Sequence, residues 1–91
     1  MLHIVKHLEK LPLVVAYLLP GDAVLLTENA VYAAAVQSPY RMSMNDQIEW
    51  SVLQEDLQAR GWLKNVDPRI HIVSMSDFVD LTINHDKSIT W

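Results

Sequence analysis

Two acidic residues and one arginine stand where an α/β protein could place a reactive site. Glu28 follows the apolar segment 23–27, and open parallel sheets bind their ligands at the carboxyl edge of the strands. Asp56 and Arg60 are four residues apart in a segment with helical periodicity, so they could act as an acid and an anion clamp. The simpler interpretations, which we favour, are helix-start electrostatics for Glu28 and a solvated or interface ion pair for Asp56 and Arg60.

The four histidines do not form a metal motif. His3 and His7 are four apart, a ligand spacing only when both lie on one helix, and His3 belongs to a predicted strand. His71 lies between two isoleucines, which favours a core or interface imidazole. His85 follows the last predicted helix, where it is either a partner for the helix carboxyl end or an interface residue. We expect no metal and no cofactor.

Several residue types needed for common chemistries are missing. The 91 residues include no cysteine, which excludes disulfides, thiolate metal sites and any thiol or persulfide chemistry by these residues. Gly21 and Gly61 are the only glycines, so neither a P-loop nor a dinucleotide fingerprint can be written into the sequence. The Gly-x-Ser-x-Gly pattern of serine hydrolases is also absent. We therefore expect a protein that is not itself an enzyme.

The elements that would position these residues alternate along the chain. Apolar runs predict strands at residues 2–5, 23–26, 48–52 and 70–73. Helical patterns cover residues 12–19, 28–36 and 53–60, and Ser76 is the expected cap of a last helix that includes residues 78–83. Gly61 supplies a left-handed helix stop. This alternation predicts one small α/β domain over residues 1–91, with an open, mainly parallel sheet flanked by helices in a Rossmann-like three-layer arrangement. The strand order and the tail from residue 85 stay open.

Charge and hydrophobicity limit the choice of partners. The net charge of −4 and the scattered lysines and arginines disfavour direct binding to nucleic acid or to an anionic membrane. Hydrophobic residues make up 51% of the chain, and a surplus that a small core cannot enclose favours a subunit interface. Tyr40, Trp62 and Trp91 fall in loops or the tail, so we expect them to be exposed interface anchors.

One apolar run imitates a targeting signal. Lys6 and Lys10 precede the apolar residues 11–20, as in a secretory signal peptide. Pro12 and Pro20 bracket the run, and it is far shorter than the roughly 20 apolar residues that span a bilayer. We favour a helix of the folded domain.

Several segments in order resemble one family. They are Gly-Asp-Ala-Val-Leu-Leu at residues 21–26, Glu-Asn-Ala-Val-Tyr-Ala-Ala at 28–34, Leu-Gln-Glu-Asp-Leu-Gln-Ala-Arg-Gly at 53–61 and Asp-Phe-Val-Asp-Leu-Thr at 77–82. Met-Leu-His at the start, His85 and Trp91 complete the set. The order and spacing of these segments resemble the TusB/DsrH family over nearly the whole chain.

The resemblance implies a DsrE-like fold and a supporting role in sulfur relay. In that family the TusB-like subunit joins homologous C- and D-like subunits in a cytoplasmic heterohexamer with two copies of each. The hexamer passes persulfide sulfur between carrier proteins, and its sulfur-carrying cysteine belongs to the D-type subunit. In the Tus branch the sulfur ends in the 2-thio group of tRNA wobble uridine. Some DsrH-type members have a cysteine in the first helix, where residues 14–16 are apolar here, and this departure favours the TusB side.

Other functions stay open at this point. The chain could be a stand-alone small-molecule-binding or enzymatic domain that uses Glu28, Asp56, Arg60 and His85. It could be a DsrH-like subunit in sulfur oxidation. A third possibility, a secreted or membrane-associated fragment, is supported only by the apolar run after Lys10.

Overall fold

A computed structural model describes residues 1–35, 47–61 and 63–91. Within these residues, five strands form one sheet in which every pairing is parallel. The strands are β1 (Leu2–Val5), β2 (Ala23–Leu26), β3 (Glu49–Leu53), β4 (His71–Val73) and β5 (Ser88–Thr90). Their order across the sheet is β4-β3-β2-β1-β5. The predicted α/β class with an open parallel sheet is confirmed.

Short helices connect the strands. The described α-helices are α1 (Leu11–Tyr17), α2 (Gln54–Ala59) and α3 (Met75–Asn84), and the 3₁₀ helices are Leu8–Lys10, Glu28–Ala34 and Leu63–Asn65. None of the helices in these residues is long and apolar enough to span a bilayer.

The topology places the helices on opposite faces. From β1 to β4 each strand is added on the same side of its predecessor, so right-handed crossovers keep their helices on one face of the sheet. The connection from β4 to β5 returns across the whole sheet, which puts α3 on the other face. The cores agree with this: Leu11 and Val14 of α1 and Leu57 of α2 pack in one cluster, whereas Phe78 and Leu81 of α3 pack against Leu2 and its neighbours in another.

The central strands are buried on both faces. All four residues of β1 and all four of β2 are buried, the pattern expected of inner strands in a parallel sheet covered by helices. The edge strand β5 is exposed throughout. Gly61 follows α2 with a φ of 68°, which confirms the predicted left-handed stop.

Several elements differ from the sequence-based prediction, most of them by one or two residues at an end. The unassigned tail contains β5, which β1 recruits through backbone pairing. The second helix, expected over residues 28–36, begins at Glu28 but is a 3₁₀ helix. The first helix ends at Tyr17 instead of residue 19, because the backbone is already extended at Leu18; Leu19, which precedes Pro20, is itself disfavoured in helical backbone.

The cap of the last helix is also shifted. Ser74, not Ser76, caps α3: its side chain accepts a hydrogen bond from Asp77 N, and the Asp77 carboxylate accepts one from Ser74 N. The reciprocal pair is a capping box, which needs a serine three residues before its carboxylate partner. Ser76 lies too close to Asp77 to form it.

Candidate functional site

An open cleft lies at the carboxyl edge of the sheet. Lys6 and His7 follow β1, Glu28 and Asn29 follow β2, and Asp56 and Arg60 come from α2 and its end. The cleft has a volume of about 400 Å³. The structure therefore brings together Glu28, Asp56 and Arg60, as their sequence positions suggest, and adds Lys6, His7 and Asn29.

Glu28 occupies an unusual backbone conformation in this cleft. Its φ is 51°, in the left-handed region that carries a steric cost for residues other than glycine. The Glu28 backbone N donates to Asp56 Oδ2 at 2.7 Å, so the first turn of α2 holds the start of the 3₁₀ helix. The Asn29 Oδ1 accepts from Leu8 N at 2.9 Å and ties the loop after β2 to the loop after β1.

Arg60 does not pair with Asp56 as expected. Within the described part of the chain these two side chains make no ion pair, because α2 ends at Ala59 and Arg60 leaves the helix with φ −106° and ψ 3°. The guanidinium carbon lies 6.0 Å from the centroid of the Tyr32 ring, a cation–π distance. Residues four apart share a helix face only within the helix, and Arg60 lies just beyond the end of α2.

The cleft is lined by both acidic and basic side chains. Covalent catalysis needs a nucleophile activated by an adjacent base, and the side chains lining this cleft form no hydrogen-bonded pair of that kind in the described residues. In the same residues no group of three or more metal-ligating side chains is present. The groups that line the cleft are an ammonium, a guanidinium, an imidazole, two carboxylates and an amide.

A second polar cluster, which the sequence did not suggest, lies on the α1 face near β5. His3 Nε2 lies 3.1 Å from Asp22 Oδ2, and Trp91 Nε1 lies 3.1 Å from His3 Nδ1. An indole N–H can only donate, so His3 Nδ1 is the acceptor and Nε2 carries the proton donated to Asp22. Both ring nitrogens are engaged, which leaves this histidine no free lone pair for catalysis.

Asp22 collects donors from three parts of the chain. Its carboxylate accepts from His3, from Leu19 N at 3.1 Å and from the amino-terminal ammonium at 3.1 Å. Burial acts to raise the pKa of Asp22, but the hydrogen bonds and the ammonium charge outweigh it and hold the pKa below its ordinary value of 3.8. The only sequence signal was a histidine within an apolar strand.

An apolar groove adjoins this cluster. Met1, Tyr17, Leu19, Ile89 and Trp91 line it, together with His3 and Asp22, and its volume is about 330 Å³. The Trp91 and His3 rings are inclined by 25° with centroids 6.2 Å apart, and the centroid of the Tyr17 ring lies 5.8 Å from that of Trp91. The groove opens on the side of the sheet that ends in β5.

The other predicted residues are dispersed. Trp91 is half-buried instead of fully exposed, because its ring packs in the groove. His85 is half-buried at the end of α3 and does not line the cleft. His71 is exposed on β4, so the core interpretation is wrong. Tyr40 and Trp62 lie outside the described residues.

Comparison with known proteins identifies one group of relatives. The family described as DsrH like protein matches residues 6–88. Protein TusB of Erwinia tasmaniensis is 38% identical over 72 residues, which cover 78% of this chain and 76% of the relative. Protein TusB of Buchnera aphidicola is 32% identical over 74 residues, covering 77% and 75%. Protein TusB of Yersinia pestis is 31% identical over 71 residues, with the same coverage.

Proposed function

The chain belongs to the DsrH-like family, and on that basis we propose that it is a non-catalytic subunit of a TusBCD-like sulfurtransferase complex. In this proposal the complex works in the cytoplasm and relays persulfide sulfur for 2-thiolation of tRNA wobble uridine. The partners are homologous C- and D-like subunits in a heterohexamer, and sulfur-carrier proteins dock on the assembled complex. The chain itself makes no direct contact with nucleic acid.

The observation that carries the proposal is the missing thiol. None of the 91 residues is a cysteine, and a persulfide forms only when a thiolate accepts sulfane sulfur. Serine and histidine cannot replace it. A chain of this composition can support sulfur transfer by its neighbours but cannot hold the sulfur.

The surface of α3 supports a role in assembly. Met75, Val79 and Ile83 are 52%, 51% and 74% exposed, and their spacing of four residues aligns them along one flank of the helix. We call these three residues the α3 apolar flank. A continuous exposed apolar strip is typical of a protein contact surface. Asp80 lies further round the exposed side of the same helix.

Co-purification tests this assignment. The chain is co-expressed with tagged C- and D-like partners, as the native sequence and with Val79→Asp or Asp80→Asn. We expect the tagged partners to retain the native chain and Asp80→Asn, and to lose most of Val79→Asp, because a buried unpaired carboxylate opposes association. If the native chain is not retained, and its deletion leaves tRNA thiolation intact, the proposal is wrong.

A second candidate function is favoured by the carboxyl-edge cleft. Backbone strain of the kind found at Glu28 concentrates at ligand sites, and the cleft lies where open α/β sheets bind small molecules. If the chain were a small-molecule-binding domain, Glu28→Gln would abolish binding without loosening assembly. Loss of assembly with unchanged binding would favour the subunit function.

A further inference from the structure

Strand β5 leaves part of its backbone unpaired. Its inner side bonds to β1: Leu2 N donates to Lys87 O at 3.0 Å and Trp91 N donates to Ile4 O at 2.7 Å. Because backbone groups alternate in direction along a strand, the N–H and C=O of Ser88 and Thr90 point away from β1. No residue in the described part of the chain bonds to these four groups.

The open edge coincides with the apolar groove. Ile89 pairs in register with His3, so its side chain lies on the groove face, and it is 40% exposed. The groove residues Tyr17 and Leu19 are also exposed. Unpaired backbone groups beside an apolar groove are the two features that strand addition requires.

We propose that β5 pairs with β5 of a second copy of this chain. The two strands run antiparallel about a two-fold axis at Ile89 and join the two sheets into one. In this register Ser88 faces Thr90 of the second copy, and both outward N–H and C=O groups of each pair are exchanged. No other register pairs all of these groups within the three-residue strand.

The side chains are complementary in the same register. On the groove face the two Ile89 side chains meet at the axis, and Lys87 stands opposite Trp91 of the second copy, where its ammonium can contact the indole face. On the other face Ser88 stands opposite Thr90, a favourable hydroxyl pair across strands. This self-complementarity is why the partner is a second copy. The proposal does not depend on the proposed function, since it concerns a different surface from the α3 apolar flank.

Cysteine cross-linking tests the pairing on a chain that has no cysteine of its own. Ile89→Cys is compared with Ile72→Cys, because Ile72 is also the middle residue of a three-residue edge strand, lies on the same sheet face and is 43% exposed. Facing non-hydrogen-bonded residues lie about 4.5 Å apart between Cα atoms, within disulfide range. Under mild oxidation we expect the Ile89→Cys chain to form disulfide-linked dimers at least about tenfold faster than the Ile72→Cys chain. The reason is that pairing of the two β5 strands raises the effective concentration of the facing thiols. Equal rates would overturn the proposal.

Analytical ultracentrifugation measures the oligomeric state of the unmodified chain and tests the pairing independently of cross-linking. We expect a reversible dimer for the native chain and for Ile72→Lys. Ile89→Lys places two ammonium groups at the axis, and its dissociation constant should rise at least about tenfold. Circular dichroism confirms that each variant is folded. A native chain that stays monomeric at all concentrations overturns the proposal. If Ile89→Lys loses its C- and D-like partners while the native chain is monomeric, the edge belongs to a different partner.

Discussion

The carboxylate of Asp22 couples the stability of the fold to pH. Its carboxylate joins the amino terminus, the turn before β2 and His3 of β1. The pKa of Asp22 lies below its ordinary value of 3.8, so the charged form stabilises the folded state. That contribution is fully present above the ordinary value and is lost as the pH falls through the lowered pKa.

Substitution of Asp22 should change the acid limb of the stability curve. We expect Asp22→Asn to lower the free energy of unfolding at pH 7 by about 1–2 kcal/mol, because a charged acceptor of several hydrogen bonds is lost. Urea unfolding measured between about pH 2 and 7 should then show a flatter decline for the variant than for the native chain below pH 4. Asp80→Asn, on the exposed face of α3, is the control. An unchanged slope in Asp22→Asn would contradict this account.

At the scale of elements, the 3₁₀ helix after β2 starts from a strained residue. The left-handed φ of Glu28 costs a residue with a Cβ about 1–2 kcal/mol, whereas glycine adopts it freely but loses more entropy on folding. We expect Glu28→Gly to be about 0.5–1 kcal/mol more stable than Glu28→Ala in urea unfolding. If the alanine variant is the more stable one, the conformation carries no strain.

The start of α3 provides a matched pair of serines. Ser74 makes the capping box with Asp77, and Ser76 lies exposed in the first turn. We expect Ser74→Ala to cost about 1 kcal/mol of unfolding free energy, because an amide of the first turn loses its partner. Ser76→Ala should be close to neutral in the same thermal or urea measurement. The reverse ranking would place the cap at the position that the sequence alone suggested.

The elements that could be predicted are those whose own residues determine them. Short apolar runs predicted β1 and β2, and Gly61 predicted the end of α2. Strand β5 has one apolar residue, Ile89, and exists because β1 offers it a free edge, which is a non-local cause. The 3₁₀ helix after β2 starts at a hydrogen bond between Glu28 and Asp56, residues 28 positions apart, which no local pattern predicts.

At the scale of the whole molecule, the carboxyl-edge cleft could be predicted from local patterns, whereas the cluster of His3, Asp22 and Trp91 could not. Glu28, Asp56 and Arg60 converge because the carboxyl ends of parallel strands meet at one edge, which the predicted topology already implies. His3 and Trp91 are 88 positions apart and meet only through the pairing of β1 with β5. No local sequence pattern predicts a contact between residues so far apart, and for this reason the cluster was not expected.

The two exposed apolar surfaces have separate origins in the topology. The return connection from β4 to β5 places α3 on the face opposite α1 and α2, and among the described residues nothing covers Met75, Val79 and Ile83. The same connection makes β5 an edge strand next to the groove. A domain of this size has a thin margin of stability from its own core, so contacts at these surfaces would add to it.

The central claim is that the chain supports sulfur transfer without carrying sulfur. The most direct measurement is native mass spectrometry of the chain co-expressed with its C- and D-like partners, after loading with a sulfane sulfur donor. We predict a complex that contains this chain, with the added mass of sulfur on a partner only and removable by a reducing agent. A sulfur adduct on this chain, or a loaded complex that lacks it, would contradict the account.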